Sequence, residues 1–212
     1  MNGMNGEGDV LSSRRICRTF LREGNTVLEL NARLPEINGA AMMNAYYNRL
    51  FRRLAGFCAE ELVPDLPTRD HPLKLDLEYQ VRLMTPWILS LTLELFRRDG
   101  RSIPAARFGA VWSRTTGVPL PLRAFFPKAA GLRRRLRNWI RSEALDRLHS
   151  GFCLYDPRQA EQAGSLFSPQ NFYASDRGLV LFLSPLTLGS ASEGIPEFLL
   201  PWDPAGPRLP EN

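Results

Sequence analysis

The chain has 212 residues, of which 44% are hydrophobic and 23% are charged. These proportions exclude a disordered chain and fit a folded protein with a sizeable core. The net charge of +5 comes almost wholly from arginine, and it allows weak attraction to acidic polymers, anionic lipid or nucleic acid without specifying any of them. From composition we predict a disordered leader at residues 1–12, a single α+β domain at residues 13–202, and a proline-rich tail at residues 203–212.

Localisation is predicted from what the chain does not contain. The N-terminal residues show no basic segment followed by an apolar run, and no stretch approaches the ~20 apolar residues of a membrane span. The three cysteines, Cys17, Cys58 and Cys153, are far apart and lack a CxxC spacing, which argues against disulfides and zinc. We therefore expect buried thiols in a cytoplasmic protein, or an extracytoplasmic protein if the sequence has been trimmed.

The first third of the chain predicts two strands followed by a long helix. Residues 15–21 and 26–34 are the two strands, and the second alternates apolar and polar side chains until Pro35 ends it. Asn38 is the predicted N-cap of a helix over residues 38–62. The apolar positions of that helix recur every three or four residues, which indicates one buried face. These positions are Met43, Tyr46, Tyr47, Leu50, Leu54, Phe57, Cys58 and Leu62.

The middle of the chain contains the clearest strand pattern. Apolar residues alternate with charged or polar ones over residues 73–83, which predicts a half-exposed antiparallel strand. A turn at residues 85–86 leads to a returning strand over residues 89–95, in which leucines alternate with Ser90, Thr92 and Glu94. A further strand is predicted over residues 106–113.

The C-terminal half predicts a second principal helix and a closing hairpin. The helix covers residues 129–149, and a possible short strand at 152–155 precedes a helix that Asp156 caps. The Asp-Arg-Gly step at residues 176–178 lies between two apolar runs, as in a β-hairpin. The sequence Gly-Ile-Pro-Glu-Phe at residues 194–198 predicts an edge strand, because proline cannot donate to a ladder. We predict an α+β fold: an antiparallel β-sheet of five or more strands with two principal helices packed on one face.

Two ordered segments carry a resemblance to a known family. One contains Asn-Phe-Tyr, Gly-Leu-Val and Gly-Ile-Pro-Glu-Phe within residues 171–198, and the other contains Phe-Gly-Ala-Val-Trp, Thr-Gly-Val-Pro-Leu and Phe-Phe within residues 108–126. They resemble a bacterial family of domains of unknown function. That family is best known from the extracytoplasmic part of a lysozyme-sensing anti-sigma factor and from the non-catalytic part of some peptidoglycan deacetylases. Many members have a loop rich in tyrosine, glycine and histidine, which residues 93–102 do not match.

The candidate binding residues are one helix face and one tryptophan. Arg133, Arg134, Arg137 and Arg141 occupy the outer face of the second principal helix, where phosphate binding is the sharper hypothesis and a solvated face the favoured one. Trp202, beside the proline-rich tail, is the aromatic residue most suited to partner contact, and packing under the tail is at least as well supported.

No catalytic, cofactor or metal constellation is predicted. The two histidines, His71 and His149, have no partner at metal-ligand spacing. The carboxylates Glu193 and Glu197 flank a short segment, but glycosidase chemistry requires a set separation across a cleft, and sequence proximity does not supply it. The chain also lacks a G-x-S-x-G elbow and a phosphate-binding glycine loop.

The family resemblance implies a non-enzymatic binding or sensory module of bacterial origin. Its ligand would be a protein or a cell-wall-related polymer, and we expect neither specific nucleic-acid binding nor a membrane span. Two alternatives remain: an accessory to a cell-wall hydrolase or deacetylase, and a self-associating cytoplasmic structural protein. The oligomeric state does not follow from the sequence.

Overall fold

The structure is a computed structural model that describes residues 11–67, 71–99, 101–127, 130–204 and 206–210. Residues 1–10 of the predicted leader and Gly100 of the turn after the fourth strand lie outside this range. The strands are β1 Leu11–Arg22, β2 Asn25–Ile37, β3 Leu73–Met84, β4 Ile88–Asp99, β5 Arg101–Ser113, β6 Phe172–Ala174, β7 Gly178–Phe182 and β8 Glu197–Pro201. The α-helices are α1 Ala41–Phe57, α2 Leu132–His149 and α3 Pro157–Leu166.

The α+β class is confirmed, but the larger sheet is mixed. Its five strands lie in the order β1-β2-β3-β4-β5, and β2 pairs with β3 in parallel, with Leu28 opposite Leu73 and Ala32 opposite Leu77. The prediction of a wholly antiparallel sheet is therefore wrong. Helix α1 lies between β2 and β3 in the chain, and such a crossover is what a parallel pair requires. The placement of both principal helices on one face stays a prediction.

The chain divides into two compact units, Met1–Glu78 and Tyr79–Asn212. In the first unit, β1 and β2 form an antiparallel hairpin, and α1 packs on β2. The apolar alternation of β2 is confirmed, because its inward side chains are almost completely buried. They are Leu28, Leu30, Ala32 and Leu34. The helix contributes Met43, Tyr47, Phe51 and Ala55 to this burial.

Two sequence-based details of the first unit are wrong. Strand β2 continues through Pro35 to Ile37 and pairs there with β1. Its pairing with β3 ends at Ala32, so no hydrogen bond to β3 requires the N–H group that Pro35 lacks. Asn38 is not the N-cap: Ala40 is, without a side-chain bond. Instead, the side-chain amide of Asn44 binds the backbone of Ile37. Its Oδ1 accepts from Ile37 N at 3.0 Å, and its Nδ2 donates to Ile37 O at 2.8 Å.

The buried stripe of α1 also differs from the predicted one. Phe51 and Ala55 are buried, whereas Leu50 and Leu54 are half-buried and Phe57 is exposed. The predicted helix continues as a π-helical turn, Cys58–Leu62, whose wider turn shifts the residues that follow. Of the three thiols expected to be buried, Cys58 is buried, Cys153 is half-buried and Cys17 is exposed on β1.

The second unit pairs β4 with β5 and adds a three-stranded antiparallel sheet in the order β6-β7-β8. The predicted hairpin is confirmed, and an edge strand follows it, but this strand is β8 at Glu197–Pro201 and not residues 194–198. This sheet lies against β5 at Gly109, where a β-carbon would collide with the carbonyl oxygen of Phe172. Helices α2 and α3 approach equally closely, since a β-carbon on Gly164 would collide with the carbonyl oxygen of Arg137. The small residues therefore set how closely these elements pack.

The ends of α2 and α3 follow sequence rules in part. Asp156 is the predicted N-cap of α3, and its carboxylate accepts from the N–H groups of Arg158 and Gln159. Helix α2 begins at Leu132 rather than 129, after Gly131 with a positive φ of 64°. Residues 152–155 form no strand; only Tyr155 makes a single bridge, to Gly189. None of the helices in the described residues combines the length and apolarity needed to cross a membrane.

Candidate functional site

Strand β4 has a polar face that is buried instead of solvated. Ser90, Thr92 and Glu94, the polar residues of its alternating pattern, are at most 7% exposed. Ser90 Oγ accepts a hydrogen bond from the backbone N–H of Ala174 at 2.9 Å. The three-stranded sheet therefore covers this face, and the polar groups of β4 need partners within the protein.

Two arginines supply those partners. Arg82 donates from Nη2 to Glu94 Oε1 at 2.8 Å and from Nε to Thr92 Oγ1 at 2.9 Å. On the other side, Arg107 Nη2 lies 2.9 Å from the same carboxylate oxygen. The Arg107 and Glu94 side chains are only 9% and 10% exposed, so this is a buried ion pair with an additional, partly exposed arginine.

Arg107 also connects this pair to a second carboxylate nearer the surface. It donates from Nη1 to Glu197 Oε1, which in addition accepts from the Tyr173 hydroxyl at 3.2 Å. Its guanidinium carbon lies 5.5 Å from the centre of the Phe182 ring, and that of Arg82 lies 4.9 Å from the centre of the Tyr173 ring. Cation–π contacts of this kind stabilise positively charged side chains that are shielded from water.

The pKa of Tyr173 is raised to about 12, first by burial and then by the charge of Glu197, while Arg82 and Arg107 lower it less. The hydroxyl is therefore protonated near neutral pH and acts as a hydrogen-bond donor to Glu197. Arg107 Nε is buried and has no hydrogen-bond partner among the described residues. We name Arg82, Glu94, Arg107, Tyr173 and Glu197 the ionic cluster.

An open pocket of about 360 Å³ lies over the outer end of the ionic cluster. Its charged residues are Arg147 of α2, Glu197 of β8, and Asp176 and Arg177 in the exposed turn between β6 and β7. The remaining lining residues are Tyr173, Ser175, Val180 and Leu199. Arg147 is held in place, because Nη1 donates to Glu197 O at 2.7 Å and the guanidinium carbon lies 4.8 Å from the Phe198 ring centre.

The pocket therefore presents charges of both signs, some held by contacts within the protein and some exposed. Arg147 and Glu197 are fixed by contacts to β8 and to the ionic cluster. The Asp176 and Arg177 side chains are exposed at the tip of the turn. A ligand with both carboxylate and ammonium groups would meet a complementary charge for each group here.

The structure gathers three of the predicted binding residues and separates the others. Arg133, Arg134 and Arg137 line an open pocket of about 470 Å³ near the start of α2. Arg141 is exposed farther along the helix. Arg137 is not wholly on the outer face, because its Nε is buried and lacks a hydrogen-bond partner in the part of the chain that the structure describes.

Trp202 packs against an aromatic residue of the core. Its ring is stacked on Phe125 with 6.3 Å between ring centres, and its Nε1 donates to Ser175 O at 3.1 Å. It is half-buried, and it belongs to the apolar surroundings of the core of this unit.

The Glu193 and Glu197 carboxylates have separate partners. Glu193 Oε1 accepts from Leu154 N at 3.2 Å, whereas Glu197 belongs to the ionic cluster. Over the described residues, no three or more side chains of histidine, cysteine, aspartate or glutamate are grouped to hold a metal ion. Sequence reasoning considered Glu197 only in this pair and missed Arg82, Arg107 and Arg147. The available signal was a glutamate and two small polar residues inside a leucine-rich strand.

Comparisons with known proteins show one segment of the chain that is similar to a family of unknown function. Residues 132–203 match the family model described as "Protein of unknown function (DUF3298)". The matched segment contains α2, α3 and the three-stranded sheet, and hence Arg147, Tyr173 and Glu197. No curated protein matches the chain.

Two crystal structures share the fold. A DUF3298 family protein from Pseudomonas aeruginosa PAO1 has a TM-score of 0.57 and 13% identity, covering 91% of this chain and 91% of that one. A member of the same family from Bacteroides fragilis has a TM-score of 0.54 and 13% identity, covering 93% and 92%. The expected resemblance to a family of domains of unknown function is confirmed for a segment that includes residues 171–198, whereas residues 108–126 lie outside the matched range.

Proposed function

We propose that this protein is a non-enzymatic binding module and that its ligand occupies the pocket over the ionic cluster. The observation that carries the proposal is the set of charges at this pocket. Arg147 and Glu197 are held by contacts to β8 and the ionic cluster, whereas Asp176 and Arg177 are exposed at the rim. Preorganised charges bind with less ordering cost than flexible ones.

The ionic cluster supports a positioning role better than a chemical one. Glu197 accepts from both Arg107 and Tyr173 at Oε1, so this oxygen is already engaged by two side chains of the protein. Tyr173, with a pKa raised to about 12, is poorly matched to proton transfer near neutral pH. These contacts favour a rigid binding surface.

For the ligand, we propose a cell-wall-related polymer that carries carboxylate and ammonium groups. The pocket offers a cation and an anion at its exposed rim, so such groups on one polymer would be paired together. The family resemblance to the sensing part of the anti-sigma factor and to the non-catalytic part of peptidoglycan deacetylases points to the same ligand class. A protein ligand, with lysozyme as the first to test, is the alternative within this proposal.

The test is calorimetric titration with soluble peptidoglycan fragments that carry stem peptides, and separately with lysozyme. The variant Asp176→Ala/Arg177→Ala changes only exposed rim side chains, so it should fold normally and bind about tenfold more weakly. Arg123→Ala is the matched control, since Arg123 is exposed and does not line the pocket.

Three outcomes would contradict the proposal. Binding of neither probe, or equal binding by the rim variant and the control, would remove the pocket from the function. Cleavage or deacetylation of the fragments, followed by mass spectrometry, would instead favour the enzymatic alternative.

A further inference from the structure

Strand β1 forms one edge of the five-stranded sheet, and its outer edge has no strand beside it among the described residues. It spans twelve residues and pairs with β2 along its whole length, with one register shift between Phe20 and Leu21. Most of its side chains are exposed. A long edge with free backbone N–H and C=O groups is a template for another extended chain.

The charge on β1 has a single sign. Its four charged residues are all arginines, namely Arg14, Arg15, Arg18 and Arg22. Arg14 donates to Asn48 Oδ1, and Arg22 donates to the carbonyl oxygens of Pro64 and Leu66. Two of the four are therefore held by the protein itself.

The side chains of Arg15 and Arg18 have no hydrogen bond or ion pair within the described ranges, and both are exposed. They project from opposite faces of the strand, because successive side chains of a strand alternate. Glu29 of β2 is already paired with Lys74 at 3.4 Å. The two arginines are thus available, one on each face, to carboxylates of a neighbouring strand.

Arg15 also lies opposite Arg33 in the β1–β2 ladder. Both line an open pocket of about 540 Å³ beside the edge, together with Cys17, Asn31 and Asp76 among others. Like charges directly opposite each other in a ladder are destabilising, and a carboxylate entering this pocket would relieve the repulsion. The acidic residues that line this pocket, Asp76 and Glu78, both lie on β3, so the β1 side of the pocket is the more positive one.

A second copy of the chain fits this edge poorly. Antiparallel pairing of two β1 strands would bring arginine-bearing edges together without any acidic residue on either strand. Repulsion of this kind keeps natural sheet edges apart. The same charges would attract an acidic chain.

We propose that the edge of β1 binds an extended acidic peptide as an added strand, with carboxylates of the peptide on Arg15 and Arg18. Backbone hydrogen bonds to β1 would supply register, and the two arginines would supply the preference for acidic side chains. This site lies in the Met1–Glu78 unit and does not depend on the pocket of the proposed function.

The probe is a fluorescein-labelled peptide of glutamate, threonine and valine, about ten residues long because each strand residue spans about 3.3 Å. Binding is followed by fluorescence anisotropy at low and high salt. We expect Arg15→Glu/Arg18→Glu to weaken binding about tenfold or more, since the variant both removes and reverses the charge that meets the peptide. High salt should weaken binding to the wild-type protein.

Two controls separate strand addition from general charge attraction. Arg52→Glu/Arg53→Glu makes the same change in net charge on the exposed face of α1 and should bind as the wild type does. A peptide of the same sequence with alternate backbone nitrogens methylated should bind poorly, because it cannot donate to the ladder.

Equal losses in the two double variants would overturn the proposal, since net charge alone would then explain binding. Equal binding of the methylated peptide would also overturn it, as would the absence of binding to either peptide at low salt. A single-stranded oligonucleotide that competes more strongly than the acidic peptide would assign the arginines to phosphate instead.

Discussion

Neutralising Glu94 should destabilise the Tyr79–Asn212 unit far more than neutralising a surface glutamate. Glu94 Oε1 lies 2.8 Å from Arg82 Nη2 and 2.9 Å from Arg107 Nη2. At the effective dielectric constant of about 20 that suits such sites, unit charges about 4 Å apart attract by about 4 kcal/mol. Glu94→Gln removes two such attractions, but it also removes the cost of keeping the carboxylate out of water, which is several kcal/mol.

The expected net loss is about 3 kcal/mol in the free energy of unfolding, which corresponds to about 10 °C in Tm. Glu143→Gln is the matched control. Its ion pair with Arg147 has an N–O distance of 3.9 Å between partly exposed side chains, so about 0.5 kcal/mol or less is expected.

Tryptophan fluorescence during urea unfolding measures this unit selectively. All four tryptophans lie after residue 79: Trp87, Trp112, Trp139 and Trp202. A double-mutant cycle with Glu94→Met and Arg107→Met should give a coupling of about 2 kcal/mol, because each single substitution leaves the other charge of this pair buried without its partner, whereas the double substitution removes both. If Glu94→Gln costs no more than Glu143→Gln, the buried network is not a determinant of stability and the reasoning fails.

Two further predictions concern packing and pH. Gly109→Ala should lower the free energy of unfolding by about 2 kcal/mol, because its β-carbon meets the carbonyl oxygen of Phe172. Gly56→Ala, in α1 with open space around it, should raise stability by about 0.5–1 kcal/mol; calorimetry that gives both changes the same sign would contradict the contact geometry. The pKa of Tyr173 is raised from 10.0 to about 12, so its contribution to stability is complete below pH 10 and is lost as pH rises toward 12. Chemical denaturation in that pH range should show a smaller loss for Tyr173→Phe than for the wild type, and equal losses would exclude Tyr173 as the cause.

Local patterns were sufficient for most of the secondary structure. The alternation of apolar and polar side chains correctly predicted the position of β3, and the apolar runs around the Asp-Arg-Gly turn correctly predicted β6 and β7. Asp156 was identified as a cap because the groups it binds are two and three residues away. Asn38 shows the limit of the same rule, since Asn44 reaches the backbone of Ile37 and replaces the expected cap.

The candidate site could not be found in this way, because its contacts join residues far apart in sequence. Arg107 and Glu197 are separated by 90 positions, and Ser90 and Ala174 by 84. The alternation of apolar and polar residues in β4 shows only that the strand has two different faces. It carries no information about whether water or another sheet covers the polar one.

The sequence by itself determined the α+β class, the order of the main elements and the closing hairpin, since each follows from the chemistry of neighbouring residues. Only the tertiary structure decided that β2 and β3 run in parallel and that Glu94 is buried between two arginines. Strand direction depends on the path of the crossover through α1. The burial of Glu94 depends on β6–β8 covering β4, which brings together groups that the linear chain keeps apart.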